Sequence, residues 1–420
     1  MDDRAELLSL LDASRAAGAR AVEVMHQRFD RFLTTGMRVR PARVEEEAWT
    51  LRLWLDGGRV GVATGPLRKP LVSQAMAAAQ RAAASPWAGP ADRFAPITGP
   101  LGIDDRRYGS VEDDDRNEML GLAERSLNQG QVMLRRLRYE EVRERRSWLS
   151  TREVELSAAA TTYSLEAEAS LGSLELGHRI ASRHFSNVAS LPFGTELRRR
   201  IEDLSRPAPA PAGSLPVVLE PRAIAAFLRS LAPAFAAPAV GAGNLLTGRL
   251  GRALSSTVLH VTDDGGLASG LYTWPFDERG VPPIAVPLLK EGVPNSLLHD
   301  PESARAAGLR PTGHVRGGQL RASNLIVRPG SRTRNVILSE LRNYLLVDAL
   351  PPIDLSTGRV VGRVILGVVT AGERVGTATM TLDTSVSALL SAVSEVGSDQ
   401  ERCDEVDAPS VVFRPLPLQA

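Results

Sequence analysis

Leu7, Leu8, Leu10 and Leu11 recur at helical spacing ahead of Gly18, which predicts an opening helix closed by a glycine at its C-terminal cap. A strand follows around residues 21–29. From Trp49 to Ala63, Leu51, Leu53 and Leu55 alternate with Thr50, Arg52 and Trp54, turn at Asp56-Gly57-Gly58 and resume at Val60, a hairpin with its turn chemistry in place. An alanine-rich helix over 70–84 is opened by Pro70, and another over 117–127 follows the acidic run Glu112 to Asp115. From Val132 to about Ser186 the texture is β, most clearly where Tyr163, Leu165, Ala167 and Ala169 alternate with Ser164, Glu166, Glu168 and Ser170. A last helix, 194–204, closes the first half.

Pro207-Ala208-Pro209-Ala210-Pro211-Ala212-Gly213 then reads as a semi-rigid extended linker. The predicted organisation is an N-terminal mixed α/β domain over 1–206, a linker over 207–213 and a β-rich, largely antiparallel domain over 214–420, an α+β chain. The second half opens with a short strand, 215–219, and a helix, 221–231. Beyond Arg249 it is rich in Gly, Pro, Val and Thr, with helical periods only at 301–307 and 336–346.

Composition narrows the functional classes. The 420 residues carry a net charge of +1, which excludes a strongly basic nucleic-acid arm and an acidic tail, and one cysteine excludes an intramolecular disulfide and a Cys-rich zinc ribbon. Only Lys69 and Lys290 are lysine among 50 basic side chains, a bias attributable to genomic base composition. Met1-Asp2-Asp3-Arg4 lacks a secretory n-region, and the longest uncharged stretch, Ser230 to Gly248, is Ala, Pro and Gly with internal prolines, so the expectation is a soluble cytoplasmic protein with no membrane span and no nucleic-acid partner.

The six histidines form no standard metal motif. His178 and His184 read as surface residues at a strand and its exit, and His299 and His314 as isolated on loops. The carboxylates of 113–115 suit a helix start better than a cation site, because the EF-hand glycine and terminal glutamate are missing. Arg135 to Arg146, interleaved with Glu140, Glu141 and Glu144, reads as a solvated, internally paired strand face. Neither a GxGxxG nor a P-loop is present, so no nucleotide cofactor is indicated.

The ordered turns of the second half carry a resemblance. Val217-Val218-Leu219-Glu220-Pro221, Thr262-Asp263-Asp264-Gly265, Phe276-Asp277-Glu278-Arg279-Gly280-Val281-Pro282, Pro311-Thr312-Gly313, Ser323-Asn324-Leu325, Pro329-Gly330, Gly362 through Gly372-Glu373, and Val396-Gly397-Ser398-Asp399 together resemble the TldD/PmbA family. Gly18-Ala19 after the first helix and Asp56-Gly57-Gly58-Arg59 in the hairpin extend the likeness over nearly the whole chain.

The resemblance implies a two-subunit zinc metalloprotease acting on unstructured peptides. Its TldD-like subunit bears H-E-x-x-x-H on the helix after the Val-Val-Leu strand, with a cysteine near the C-terminus; its TldE or PmbA subunit shares the fold without those ligands. Residues five apart on a helix sit about 140° round from each other, so such a site needs a local break. The six motif positions fall here on Arg229-Ser230-Leu231-Ala232-Pro233-Ala234, so Arg229, Ser230 and Ala234 replace both histidines and the glutamate. The chain departs from the family at His314, Tyr344 and Gly358-Arg359, as a divergent member from a dedicated peptide-maturation system would. The resemblance therefore implies a non-catalytic TldE/PmbA-like subunit with no metal or cofactor of its own, a TldD-like partner that supplies zinc, and an extended peptide as substrate. Asp277, Glu278, Gly280, Thr312, Gly313 and His314 are its candidate cleft or interface residues. A homodimeric peptide-binding adaptor, and an independent hydrolase acting through Cys403 or a histidine, are the rival readings.

Overall fold

A computed structural model describes residues 3–36, 42–95, 97, 99–211, 213–237, 246 and 248–419. Met1-Asp2, Ala212 of the Pro/Ala segment and much of the 230–248 stretch lie outside the described residues.

The first half is one antiparallel sheet. Strands β1 (Ala21–Thr35), β2 (Ala42–Trp54), β3 (Val60–Gly65), β4 (Met133–Ser150), β5 (Glu155–Leu171) and β6 (Leu174–Ser182) run in the order β3-β2-β1-β4-β5-β6. Alternation assigns its faces. Val22 and Val24 of β1 and Trp49, Leu51 and Leu53 of β2 pack under helices α1 (Asp3–Ala16) and α2 (Leu71–Arg81). Further along the same face, Leu137, Tyr139, Tyr163 and Leu165 lie under α3 (Asp113–Leu127), α4 (Phe185–Ala189) and α5 (Phe193–Leu204). The acidic run stands inside the first turn of α3, where Glu112 and Asp115 form a reciprocal capping box.

The opposite face of this sheet meets the second half of the chain. Met25 and Trp148 pack on Phe276, and Ala160 packs on Trp274 and Ile103. That half begins with β7 (Val217–Leu219) and α6 (Pro221–Leu231), whose buried Ile224, Phe227, Leu228 and Leu231 follow the i, i+3, i+4, i+7 rule and whose Pro221 takes the first helical position. Along the chain come β8 (Val261–Asp264), β9 (Ala285–Lys290), β10 (Val293–Pro294), α7 (Pro301–Ala307), β11 (Val315–Arg316), β12 (Gln319–Leu320), β13 (Leu325–Val327), α8 (Arg334–Leu341), β14 (Tyr344–Val347) and β15 (Ile353–Asp354). The long hairpin β16 (Arg359–Thr370) and β17 (Glu373–Ser385), α9 (Val386–Ser391), β18 (Val393–Val396), β19 (Glu401–Cys403), β20 (Val406–Ala408), β21 (Val411–Phe413) and β22 (Leu418–Gln419) complete it. One sheet runs β10-β9-β8-β13-β20-β19 and another β18-β21-β7-β14-β16-β17-β22, with β15 beside β16 and β11-β12 a separate hairpin. Pairing is antiparallel except for β7 with β14 and β13 with β20, so the fold is α+β with a largely antiparallel second half. The two large sheets and α6 enclose one core that includes Leu219, Phe227, Leu366, Leu390, Val406 and Phe413.

Three expectations are corrected. The predicted helix over 336–346 is α8 followed by β14: the helix stops at Arg342, with φ 55, because 344–347 are drawn between β7 and β16, where their backbone groups find partners on both sides. α9 is a further helix beyond Arg249, begun by Ser385 accepting from Ala388 N. The Pro/Ala segment is no free spacer, since Ala208 N donates to Thr377 O at 2.8 Å and Thr377 N to Arg206 O at 2.7 Å, laying it alongside β17.

Gly61 of β3 is where α2 comes closest to the sheet: a Cβ there would stand 1.9 Å from Ala75 O and 2.6 Å from Ala79 N. Gly61→Ala forces the helix off the sheet and is expected to cost about 1–3 kcal/mol, read as a lower urea midpoint at unchanged m-value.

Candidate functional site

The motif helix and the C-terminal hairpin come together. Arg229, near the end of α6, donates from Nε to Glu405 Oε1 at 2.7 Å and from Nη2 to Glu405 Oε2 at 3.3 Å and Cys403 O at 2.6 Å, with Asp404 Oδ2 at 3.8 Å. Burial opposes its charge, but Glu405 and Asp404 more than offset that, and its pKa is raised. Ser230 Oγ accepts from Ile353 N at 2.8 Å. Beyond Leu231 the helix tightens into a 3-10 turn, Ala232–Phe235, carrying Ala234. Zinc takes thiolate, imidazole or carboxylate donors. Arg229 has no lone pair to give, Ser230 is engaged with backbone, Ala234 has no donor atom, and burial, with Glu401 adding to it, pushes the Cys403 thiol up to about 12, so it stays protonated. These residues do not fit a metal ion. Among the described residues no group of three or more His, Cys, Asp and Glu side chains is placed to hold one.

The six loop candidates do gather, and five are buried. Asp277 Oδ1 accepts from Arg279 N (2.8 Å) and Val281 N (3.0 Å), and Oδ2 from Val315 N (3.0 Å); burial still pushes its carboxyl up to about 6. Gly280, with φ 69, lies against the Trp148 ring, which a Cβ would meet at 2.7 Å. Thr312 Oγ1 accepts from His299 N at 2.9 Å, and Gly313, with φ 75, passes close over Pro283. Half-buried Glu278 lines a groove, its carboxylate accepting from Gly317 N (2.7 Å) and Gly318 N (2.8 Å), while Asp277, Gly313 and His314 line a small cavity of about 20 Å³.

Two histidine expectations fail here. His314 is not isolated: it is 2% exposed, donates from Nδ1 to Thr312 O at 2.7 Å and places Nε2 3.4 Å from buried Asp263. Burial disfavours its imidazolium, yet Asp263 outweighs that and the pKa is raised. His178 is not on the surface either. It stacks on Phe193, accepts on Nδ1 from Arg222 at 2.7 Å and faces Glu196, and burial lowers its pKa. The Arg135–Arg146 face is likewise only partly solvated, since Glu141 is buried against Arg116 and Arg146 lies over Trp274.

Sequence reasoning passed over the residues that fasten the halves together. Arg279, 3% exposed, donates from Nε to Glu23 Oε2 at 2.9 Å and bidentately to Glu302 at 2.7 and 3.0 Å, while Ala91 N donates to the other Glu23 oxygen at 3.0 Å. Arg183 donates to Gly270 O, Thr161 O and Thr273 O at 2.9–3.1 Å with no carboxylate at salt-bridge distance among the described residues, and burial takes its pKa down to about 9. Partners 256 residues apart leave no local signal. A wide opening of about 700 Å³ lies at the start of α6, where Arg222, Glu196, Arg200, Asp348, Arg334 and Glu220 pair across α5, α6, α8 and the end of β14.

The chain, a helix-backed antiparallel sheet docked on a β-rich half, is a metallopeptidase-related protein by its likeness to known ones. Residues 212–419 match the PmbA/TldA metallopeptidase C-terminal domain, and the chain belongs to the TldD/PmbA family. It is similar to a metalloprotease of Methanothermobacter thermautotrophicus, 30% identical over 159 residues, covering 35% of each chain. It is also similar to a metalloprotease TldD homolog of Haemophilus influenzae, 30% identical over 141 residues, 31% of this chain and 27% of the other. The chain thus spans about a third of the length of the curated relatives it matches. In fold it is similar over nearly its full length to TldE from Thermococcus kodakarensis (TM-score 0.81, 17% identity, 98% of this chain and 99% of that one) and to a protein from Bacteroides thetaiotaomicron (TM-score 0.86, 19% identity, 100% and 99%).

Arg279→Met strands Glu23 in a dry site and is expected to lower stability by about 3–5 kcal/mol in urea unfolding, with Glu23→Gln in the same background recovering part of the loss. Glu196 supplies a pH signature. The imidazole of His178, 3.8 Å away, and the charge of Arg222 hold its carboxyl down from 4.5 to about 2. Its contribution to stability is therefore complete above pH 4.5 and lost as pH falls toward 2. Glu196→Gln should remove that slope from the urea midpoint measured between those pH values.

Proposed function

We propose that this chain is the non-catalytic, TldE/PmbA-like subunit of a heterodimeric zinc metallopeptidase. It pairs with a TldD-like subunit that supplies the zinc, walls one side of a shared cleft and holds an unstructured peptide in extended form. The observation that carries this reading is Arg229. At the first ligand position of the motif helix stands a permanent cation that Glu405 ties to the Cys403 hairpin, so the two elements a metal would join are joined by an ion pair instead. Full-length likeness in fold to a TldE supports it further. No residue of this chain is assigned a chemical step.

Co-expression with a TldD-like protein carrying H-E-x-x-x-H tests the proposal. The expected result is a stable one-to-one complex with about one zinc per pair and peptide cleavage only when both chains are present. Near-stoichiometric zinc and peptidase activity in this chain alone would overturn it.

A further inference from the structure

The sheet face opposite α1 and α2 is not wholly covered by the second half. Near the β3 edge it forms the floor of a groove of about 260 Å³, walled by the β11-β12 turn at Gly317 and Gly318 and by Glu278. The register sets the floor: Val62 and Thr64 of β3 stand beside Arg52 and Thr50 of β2, which stand beside Glu23 and Met25 of β1, with Trp148 of β4 next to Met25. Since β3 is the last strand of the sheet, the groove opens past it to solvent, and Val62 at its mouth is 41% exposed.

Arg52 is the unusual member of this floor. Its side chain is only 18% exposed, and its nearest carboxylate is Glu23 at 3.9 Å. Glu23 is already spent, one oxygen on Arg279 Nε at 2.9 Å and the other on Ala91 N at 3.0 Å. Arg52 therefore makes no hydrogen bond among the described residues, although a guanidinium has five N–H donors. Burial, then the charge of Arg279, weigh against its cation and outweigh the support of Glu23, Glu302 and Asp300. Glu278, on the wall, makes no hydrogen bond to Arg52 either, both its oxygens accepting from backbone N–H groups of the turn. A buried, unsaturated cation on a floor of threonine hydroxyls and apolar surface is complementary to a carboxylate on a small apolar residue.

We propose that this groove is a carboxylate-recognising subsite for an extended peptide, with the guanidinium of Arg52 as its anchor and the exposed Val62 as its apolar side. The inference deepens the peptide-holding role proposed above and rests on it. A peptide running beside the open β3 edge reaches the groove with its terminal or side-chain carboxylate turned toward β2, the strand-addition mode that unpaired edges favour.

The test is fluorescence anisotropy on the purified full chain with three fluorescein-labelled hexapeptides of alternating Ala and Val. One has a free C-terminal carboxylate, one a C-terminal amide, and one an amide plus an internal Glu. The free acid is expected to bind roughly 10- to 100-fold more tightly than the plain amide. The Glu-bearing amide tells whether a side-chain carboxylate serves as well as the terminal one. Arg52→Gln should erase the preference for the acid, and Arg52→Lys should keep part of it. Should Arg52→Gln unfold, Val62→Asp at the exposed mouth sets a like charge against the ligand and should weaken the acid while sparing the amide. Equal binding of both carboxylate-bearing peptides and the plain amide by the wild type, or an undiminished acid preference in folded Arg52→Gln or in Val62→Asp, overturns the proposal. Binding is read without partner or zinc, so a failure to assemble with a TldD-like chain counts against the subunit role and leaves this outcome separate.

Discussion

A six-stranded sheet with large apolar side chains on both faces has to be covered twice. Five helices cover one face with residues that lie near it in sequence. The other face is buried by Ile103 and, above all, by the segment around Trp274, Phe276 and Arg279, more than 100 residues downstream of the strands it covers. Docking is completed by charges: Arg279 finds Glu23 and Glu302, and Arg183 finds three carbonyl oxygens. In so dry a setting an unpaired partner costs more than the pair gains, which makes this junction specific as well as adhesive. The backbone of 277–281 and 312–316 is held in place by the same junction, with Asp277 accepting three N–H groups and Gly280 seated on Trp148.

That junction also orders the two openings of the molecule. On one side of the docked segment, the covered sheet face stops short of β3 and leaves the groove around Arg52. On the other, α6 starts at the end of the parallel β7-β14 pair, and the wide polar cleft forms where α5 of the first half closes against it. Arg229 near the end of α6 points elsewhere, toward the β19-β20 turn, where it meets Glu405. The guanidinium of Arg229 ties helix and hairpin together with a permanent charge.

Much of the fold was legible. α6 and α7 begin and end where their prolines and periodicity place them, and β5 buries Tyr163, Leu165, Ala167 and Ala169 as its alternation requires. These are local signals: one residue's backbone preference or one short period decides each. The failures were where pairing partners decide. Residues 344–347 continue a helical period yet fill the gap between β7 and β16, and His314 and His178 carry no mark of burial until Asp263 and Arg222 are brought to them.

The sequence by itself determined most of the secondary elements, the α+β class and the family likeness, because each is a matter of which residue stands at which position. Only the tertiary structure decided that Arg229 closes on the Cys403 hairpin, that five of the six candidate loop residues are spent inside the junction, and that Arg52 is left with unsaturated donors facing a groove. The physical reason is that a charge is defined by what surrounds it. Arg279 and Arg52 are the same residue type, one saturated by Glu23 and Glu302 and the other standing 3.9 Å from a carboxylate already taken, and nothing in the order of residues distinguishes them before the sheet and its cover meet.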